Sequence, residues 1–201
     1  AGLYKLAREQ RTRFIFVSCA PALVEFYEQL GYHRYIDGYL DDAVGYRVPM
    51  VFLTEDVTHM RRVRSPFFRL AQRYENNDES AKWFEDRFPE YSRFITRRLL
   101  SEDQFWQLLR NRLQGHNMQD VALFHGLSDE EAKTFVRSGT VLNFHADETI
   151  IRPGDSGEEM FIVLSGTAEI FAITPRRRLS LALIDAGQVF GEMAFLSHSP
   201  R

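Results

Sequence analysis

The sequence predicts an α+β protein in which an α/β layer leads through charged helices into a small β-rich domain. Three observations predict it. A short apolar run is followed by a helical pattern and then by two further strand-like runs within the first 66 residues. A charged stretch with apolar residues at helical spacing occupies the middle of the chain. After Gly139 short apolar stretches alternate with glycine-containing turn signals. An ordered mixture of this kind segregates into layers because each amphipathic element must bury one face. The expected domains are 1–66, a helical connector 67–120, and 121–201.

In the first domain, Leu3 to Arg11 reads as the end of a helix. Arg13 to Cys19 (RFIFVSC) is rich in aromatic and β-branched residues, the pattern of a strand covered on both faces. Pro21 opens a helix where its missing N–H costs nothing, and Gly31 closes it as a left-handed cap. Leu23, Phe26, Tyr27 and Leu30 repeat at helical spacing along it. Tyr32 to Tyr39 reads as a second strand, Asp41-Asp42 as a turn, and Tyr46 to Thr54 as a third strand.

The connector is broken at Asn76-Asn77-Asp78-Glu79, with Asp78 or Ser80 as candidate cap of the next helix. Trp83, Phe84 and Phe88 lie near one face of that helix, ahead of Pro89. Tyr91, Phe94, Ile95 and Leu99 continue at helical spacing, and Ser101-Glu102-Asp103-Gln104 is a capping box ahead of Phe105 and Leu109. In the last domain Ser128 caps a short helix. Val141–Phe144, Thr149–Arg152, Met160–Leu164, Thr167–Ile173 and Leu179–Ile184 are the expected strands. Pro153-Gly154-Asp155, Ser165-Gly166 and Asp185-Ala186-Gly187 supply the turns. Short strands at this spacing predict a barrel or jelly roll.

Composition narrows the function classes. The 201 residues are 44% hydrophobic and 26% charged, as in a globular protein, with no apolar run long enough to cross a bilayer. No signal peptide is visible, although Ala1 is not an initiator methionine. A net charge of -3 gives no reason to expect nucleic acid as partner, and the arginines at 61, 62 and 64 and at 176–178 read as solvated faces. The one cysteine, Cys19, excludes an internal disulfide, reads as a buried thiol and fits a reducing cytoplasm. The six histidines show no zinc spacing, so no metal site is predicted. P-loop, dinucleotide fingerprint and nucleophile elbow are absent.

The most informative stretch is the last one, Phe190-Gly191-Glu192-Met193-Ala194-Phe195-Leu196-Ser197-His198-Ser199-Pro200-Arg201. Gly187 and Gly191 permit a tight bend and close approach of a ligand. Glu192 to Leu196 can form one helical turn whose free amides, those of Met193 and Ala194 among them, point at a phosphate. Arg201, preceded by the fixed backbone of Pro200, offers a guanidinium that grips two phosphate oxygens. Glu192, acceptor-only when ionised, suits a sugar hydroxyl and repels a phosphate.

This string resembles the phosphate-binding cassette of cyclic-nucleotide-binding domains, the domains of catabolite activators and protein kinase A regulatory subunits. Ile150–Gly154, Phe161–Gly166 and Ala186-Gly187 resemble the family's strand and turn signatures, so the resemblance reaches back to about Val121. It implies a β-roll binding cAMP or cGMP. Glu192 would hold the ribose 2′-hydroxyl and Arg201 the exocyclic phosphate, while Gly191 and Ala194 line the pocket through their backbone. Met193 and Phe195 would serve as packing. In the family further strands and a helical lid follow the arginine. The sequence stops at Arg201 and reads as a piece of a longer protein cut inside its binding site.

A second resemblance lies near the start. Phe26-Tyr27-Glu28-Gln29-Leu30-Gly31-Tyr32 resembles the late motif of GNAT acyltransferases, on a helix feeding a strand. It implies acyl-CoA as cofactor, an acyl donor and an amine acceptor as substrates, and Tyr27 as general acid toward the leaving thiolate. Two features depart from that family: its pyrophosphate loop would precede Ala1, and Ala20 stands where an asparagine is frequent. The combined expectation is a cytoplasmic cyclic-nucleotide sensor that regulates an attached N-acyltransferase. The alternative is a non-catalytic sensor or interaction protein, or a transcription regulator. The oligomeric state is not legible.

Overall fold

A computed structural model describes residues 2–113, 117–137, 139–155, 159–175 and 177–192. The chain divides into two compact units, one of residues 1–100 with 138–151, the other of residues 101–137 with 152–201. These divisions fall at other points than the three segments read from the sequence.

The first unit opens with α1 (Gly2–Glu9), followed by β1 (Phe14–Cys19), a 3-10 turn at Pro21–Leu23 and α2 (Val24–Leu30). Next come β2 (Tyr32–Arg34), β3 (Tyr39–Asp41) and β4 (Gly45–Leu53). α3 (Val57–Arg62), α4 (Phe68–Ala71) and α5 (Glu79–Arg87) complete its helices. β4 lies between β1 and β2 and also pairs with β3, every pairing antiparallel. β1 and β2 therefore run the same way, joined across β4 by α2. The two-residue period of β4 divides its side chains between two cores. Val48, Met50 and Phe52 meet Tyr4, Val24, Tyr32 and Met60 on one side, and Val51 and Leu53 meet Phe84 on the other. α1 is fastened by the Tyr4 hydroxyl, which donates to the Thr54 carbonyl at 2.7 Å, and by stacking of Tyr4 on Phe67 at 5.5 Å.

Several expectations are corrected here. β1 is only partly covered on its second face: Ile15, Val17 and Cys19 face one core and Phe14 packs against the other, but Phe16 is 51% exposed. Val24 and Glu28 are buried on α2 and Tyr27 and Leu30 pack against the core beside them, whereas Leu23 and Phe26 are exposed. The single strand expected over Tyr32–Tyr39 is two strands. Arg34 pairs with Met50 and Tyr39 with Arg47. Between those pairs β4 contributes only Val48 and Pro49 against Tyr35–Gly38, so the longer side must leave the ladder. Pro49, without an N–H, sits where that partner is lost. The helical spacing of Tyr91–Leu99 forms 3-10 turns at Pro89–Arg93 and Arg97–Leu99 instead of an α-helix.

Val141–Phe144 has no ladder partner and is no strand, and neither is Thr149–Arg152. The strand-like alternation is nevertheless real. Leu142 and Phe144 pack on the core of the first unit while Asn143 and His145 face out.

The second unit contains α6 (Glu102–Arg112), α7 (Asp129–Val136), β5 (Phe161–Ile162), β6 (Ala168–Ile173), β7 (Arg178–Ile184) and β8 (Val189–Phe190). Ser101 and Ser128 cap α6 and α7 through full capping boxes with Gln104 and Glu131, as the sequence predicts. Trp106, Phe124 and Phe135 form the aromatic contact between these helical parts. The strand expected over Met160–Leu164 shrinks to Phe161–Ile162 because only these residues find a partner in β8. β6 and β7 form a hairpin with a register shift at Ile170/Phe171. The whole is a mixture of helices with antiparallel strands, consistent with a β-roll in the second unit. No helix among the described residues is long and apolar enough to cross a membrane.

Candidate functional site

The cassette is approached through a pinned turn. Phe161 pairs with Phe190 and Ile162 with Val189, and the Phe161 and Phe190 rings stack at 5.1 Å. Asp185 to Gln188 reverse the chain ahead of β8. The Gln188 amide donates to the Asp185 carbonyl, the Asp185 amide to the Gln188 side chain, and the Thr167 hydroxyl to the Asp185 carboxylate. Gly187, at φ 85°, donates to the Val163 carbonyl at 2.8 Å, and Val163 donates back to Gln188 at 3.0 Å. Gly191 follows β8 directly at φ 83°, a left-handed conformation that a side chain resists. Glu192, half-buried, is the last described residue. Strand and left-handed glycine thus lead directly to Glu192. Met193, Ala194, Pro200 and Arg201 lie outside the described residues, so of the predicted binding residues the structure places Gly191 and Glu192.

Tyr27 lies in the other unit. It is half-buried on α2, with its ring edge-on to Phe26 at 5.6 Å and to Tyr32 at 5.1 Å, against the core around Met50 and Phe52. Its neighbour Glu28 has the more unusual setting. Glu28 is 2% exposed, and its carboxylate accepts the Arg98 amide at 3.2 Å. Burial pushes its pKa up to about 7, against the backbone hydrogen bonds of Arg98 and Arg97 and the charge of Arg34. Arg34 is buried too, donates to the Val141 carbonyl at 2.7 Å and lies over the Phe94 ring. Burial lowers its pKa while Glu28 opposes the shift. Cys19 is an inert thiol: burial pushes it up to about 11, and its sulfur lies 3.6 Å from that of Met50.

Sequence reading missed Glu28 and Arg34 because a charged residue in an amphipathic pattern reads as solvated. It also missed the meeting of His33, Asp56 and His59, the one group of potential metal ligands among the described residues. Their spacing matches no local motif, since β2 and the start of α3 are brought together only by the sheet.

Residues 141–201 match the family model of the cyclic nucleotide-binding domain. A cAMP-dependent protein kinase regulatory subunit of Mycosarcoma maydis is 30% identical over 92 residues, 46% of this chain and 18% of that protein. The Cyclic AMP receptor protein of Thermus thermophilus is 31% identical over 85 residues, 42% of this chain and 39% of that protein. A cGMP-dependent protein kinase of Plasmodium berghei is 27% identical over 84 residues, 42% of this chain and 9% of that protein. The chain therefore spans well under half the length of these relatives. No solved structure matches it. Over residues 141–201 the sequence is thus similar to the cyclic nucleotide-binding domain and to stretches of those proteins.

Proposed function

We propose that this chain senses cAMP or cGMP through residues 187–201 and that this sensing regulates an N-acyltransferase-like domain at 1–66, with 67–120 as connector. The observation that carries the sensing is the string Gly191-Glu192-Met193-Ala194 to Pro200-Arg201 inside the stretch matched by the family model. The left-handed Gly191 leads directly to Glu192. Glu192 accepts from the ribose hydroxyl, the amides of Met193 and Ala194 face the phosphate, and Arg201, set by Pro200, neutralises it. The relatives named for cAMP and cGMP support the ligand class.

The acyltransferase half rests on Tyr27 in its motif and on the strand–helix–strand passage from β1 through α2 to β2, with a later strand inserted between them. In this reading Tyr27 protonates the thiolate leaving from an acyl-CoA donor as an amine acceptor is acylated, and the protein works in the cytoplasm. Regulation requires the nucleotide to bind two states of the protein with different affinity. A non-catalytic sensor is the second reading, favoured by the Tyr27 ring, which is wedged between Phe26 and Tyr32 as a packing residue would be.

Calorimetric titration with cAMP and with cGMP tests the sensing. Arg201→Ala and Glu192→Gln are each expected to weaken binding by about tenfold or more, since a charge-assisted contact contributes about 1.5–3 kcal/mol. Wild-type protein that binds neither nucleotide, or variants that bind as well as wild type, would refute the site. An acyl-transfer assay of Tyr27→Phe separates the two readings: activity lost with the hydroxyl supports catalysis, and wild type without activity supports the sensor.

A further inference from the structure

The structure assigns a divalent transition-metal site of the zinc class to His33, Asp56 and His59 in the first unit. One donor atom from each residue lies within 4.8 Å of the others. His33 Nε2 and Asp56 Oδ2 are 3.2 Å apart. That is close to the roughly 3.3 Å expected between neighbouring ligands of a tetrahedral ion with bonds of about 2.0–2.1 Å. The His33 and His59 rings lie with centroids 3.7 Å apart and 31° between their planes, so the His59 ring must swing away from His33 for both nitrogens to converge on one ion.

His59 supplies the independent observation. It is 6% exposed, and its Nε2 is buried without a hydrogen-bond partner. A buried polar atom left unsatisfied costs about 1–3 kcal/mol, and an ion in the pocket removes that cost.

Asp56 divides its oxygens between two tasks. Oδ1 accepts the His59 amide at 2.8 Å and caps α3, so the carboxylate is held in place, while Oδ2 faces His33. His33 and Asp56 keep side-chain exposures of 12% and 19%, which gives the ion an entry path and a water its place as fourth ligand. Two imidazoles and one carboxylate suit Zn²⁺ or Co²⁺ over Mg²⁺ or Ca²⁺, which prefer all-oxygen shells. The Arg62 charge bears on His59 and tempers the affinity. The site is independent of the cyclic-nucleotide reading, which concerns the other unit.

The test is titration of the full chain with Co²⁺, followed by visible absorption of the tetrahedral ion and displacement by Zn²⁺. One equivalent is expected to bind, and Zn²⁺ should raise the unfolding temperature. Asp56→Asn keeps the helix cap but loses the charge, and His33→Gln alters a partly exposed residue. Each should weaken Co²⁺ binding about tenfold or more and abolish the Zn²⁺ shift in unfolding temperature. No saturable one-equivalent binding by wild type overturns the assignment. So do variants that bind as wild type does, because the ion then sits on other histidines. If Asp56→Asn does not fold, His33→Gln alone decides.

Discussion

The buried carboxylate of Glu28 ties stability to pH. Its pKa rises from the usual 4.5 to about 7 in the folded chain, chiefly by burial. Between those two values the folded state holds a proton that the unfolded chain has lost. Stability from this group is therefore full below about pH 4.5 and declines as pH rises to about 7, by roughly 3 kcal/mol at most. Glu28→Gln keeps an acceptor for the Arg98 amide and removes the titration. Urea unfolding of both proteins from pH 4.5 to 7 should show wild type losing stability relative to the variant as pH rises; parallel curves would sink the idea. Gly31, one helix turn away, makes a different demand. It sits at φ 112°, and an added Cβ would lie 3.0 Å from Phe52 Cε2 and 3.4 Å from Met60 Cγ. Gly31→Ala should cost about 1–3 kcal/mol in the same assay, from left-handed strain and crowding together. Gly31 was legible in the sequence because a helix-ending glycine has a local cause. Glu28 was not, because its burial comes from Arg34, Arg97 and Arg98, which only the fold brings near.

Local signals also decide which elements were legible. The capping box of α6 needs nothing beyond Ser101 and Gln104. The Gln104 amide donates to the Ser101 hydroxyl at 3.1 Å, and the Ser101 amide to the Gln104 side chain at 2.8 Å. Ser101→Ala removes one of these bonds and should lower the stability of the second unit by about 1 kcal/mol, measured by thermal unfolding, whereas Ser101→Asp, which keeps a cap, should stay near wild type. An Ala variant as stable as wild type would show that the cap adds nothing there. Strands were read less well because a ladder is a pairing of two segments. β6 and β7 are adjacent in sequence, so turn and alternation sufficed. Phe161–Ile162 is shorter than the apolar pattern because β8 offers it only Val189 and Phe190. The split between β2 and β3 depends on Pro49 in the opposite strand, which a reading of Tyr32–Tyr39 alone does not see.

At the scale of the molecule, the stretch matched by the family model and the compact units do not coincide. The match starts at residue 141, yet residues 138–151 belong to the first unit. The reason is visible in its contacts. Arg34 donates to the Val141 carbonyl, the Thr140 hydroxyl to the Pro21 carbonyl, and Phe144 lies 5.0 Å from the Tyr46 ring. Composition placed this segment in the β-rich domain because its alternation is that of a strand. Its partner is a hydrophobic surface around Tyr46, far upstream in the chain, and no local pattern encodes that. The segment is therefore shared between the sequence of one domain and the core of the other unit. Phe144→Ala is expected to destabilise the first unit by about 1–3 kcal/mol, below the full value for a buried phenylalanine because the ring is only half-buried. Native-state hydrogen exchange on the full chain resolves where the loss falls. Amides of β4 and α2 should exchange faster while those of α6 and α7 keep wild-type protection, since Ser101 to Arg137 belong to the other unit. Faster exchange confined to α6 and α7, with β4 untouched, would place Phe144 in the wrong core and return residues 138–151 to the β-rich domain.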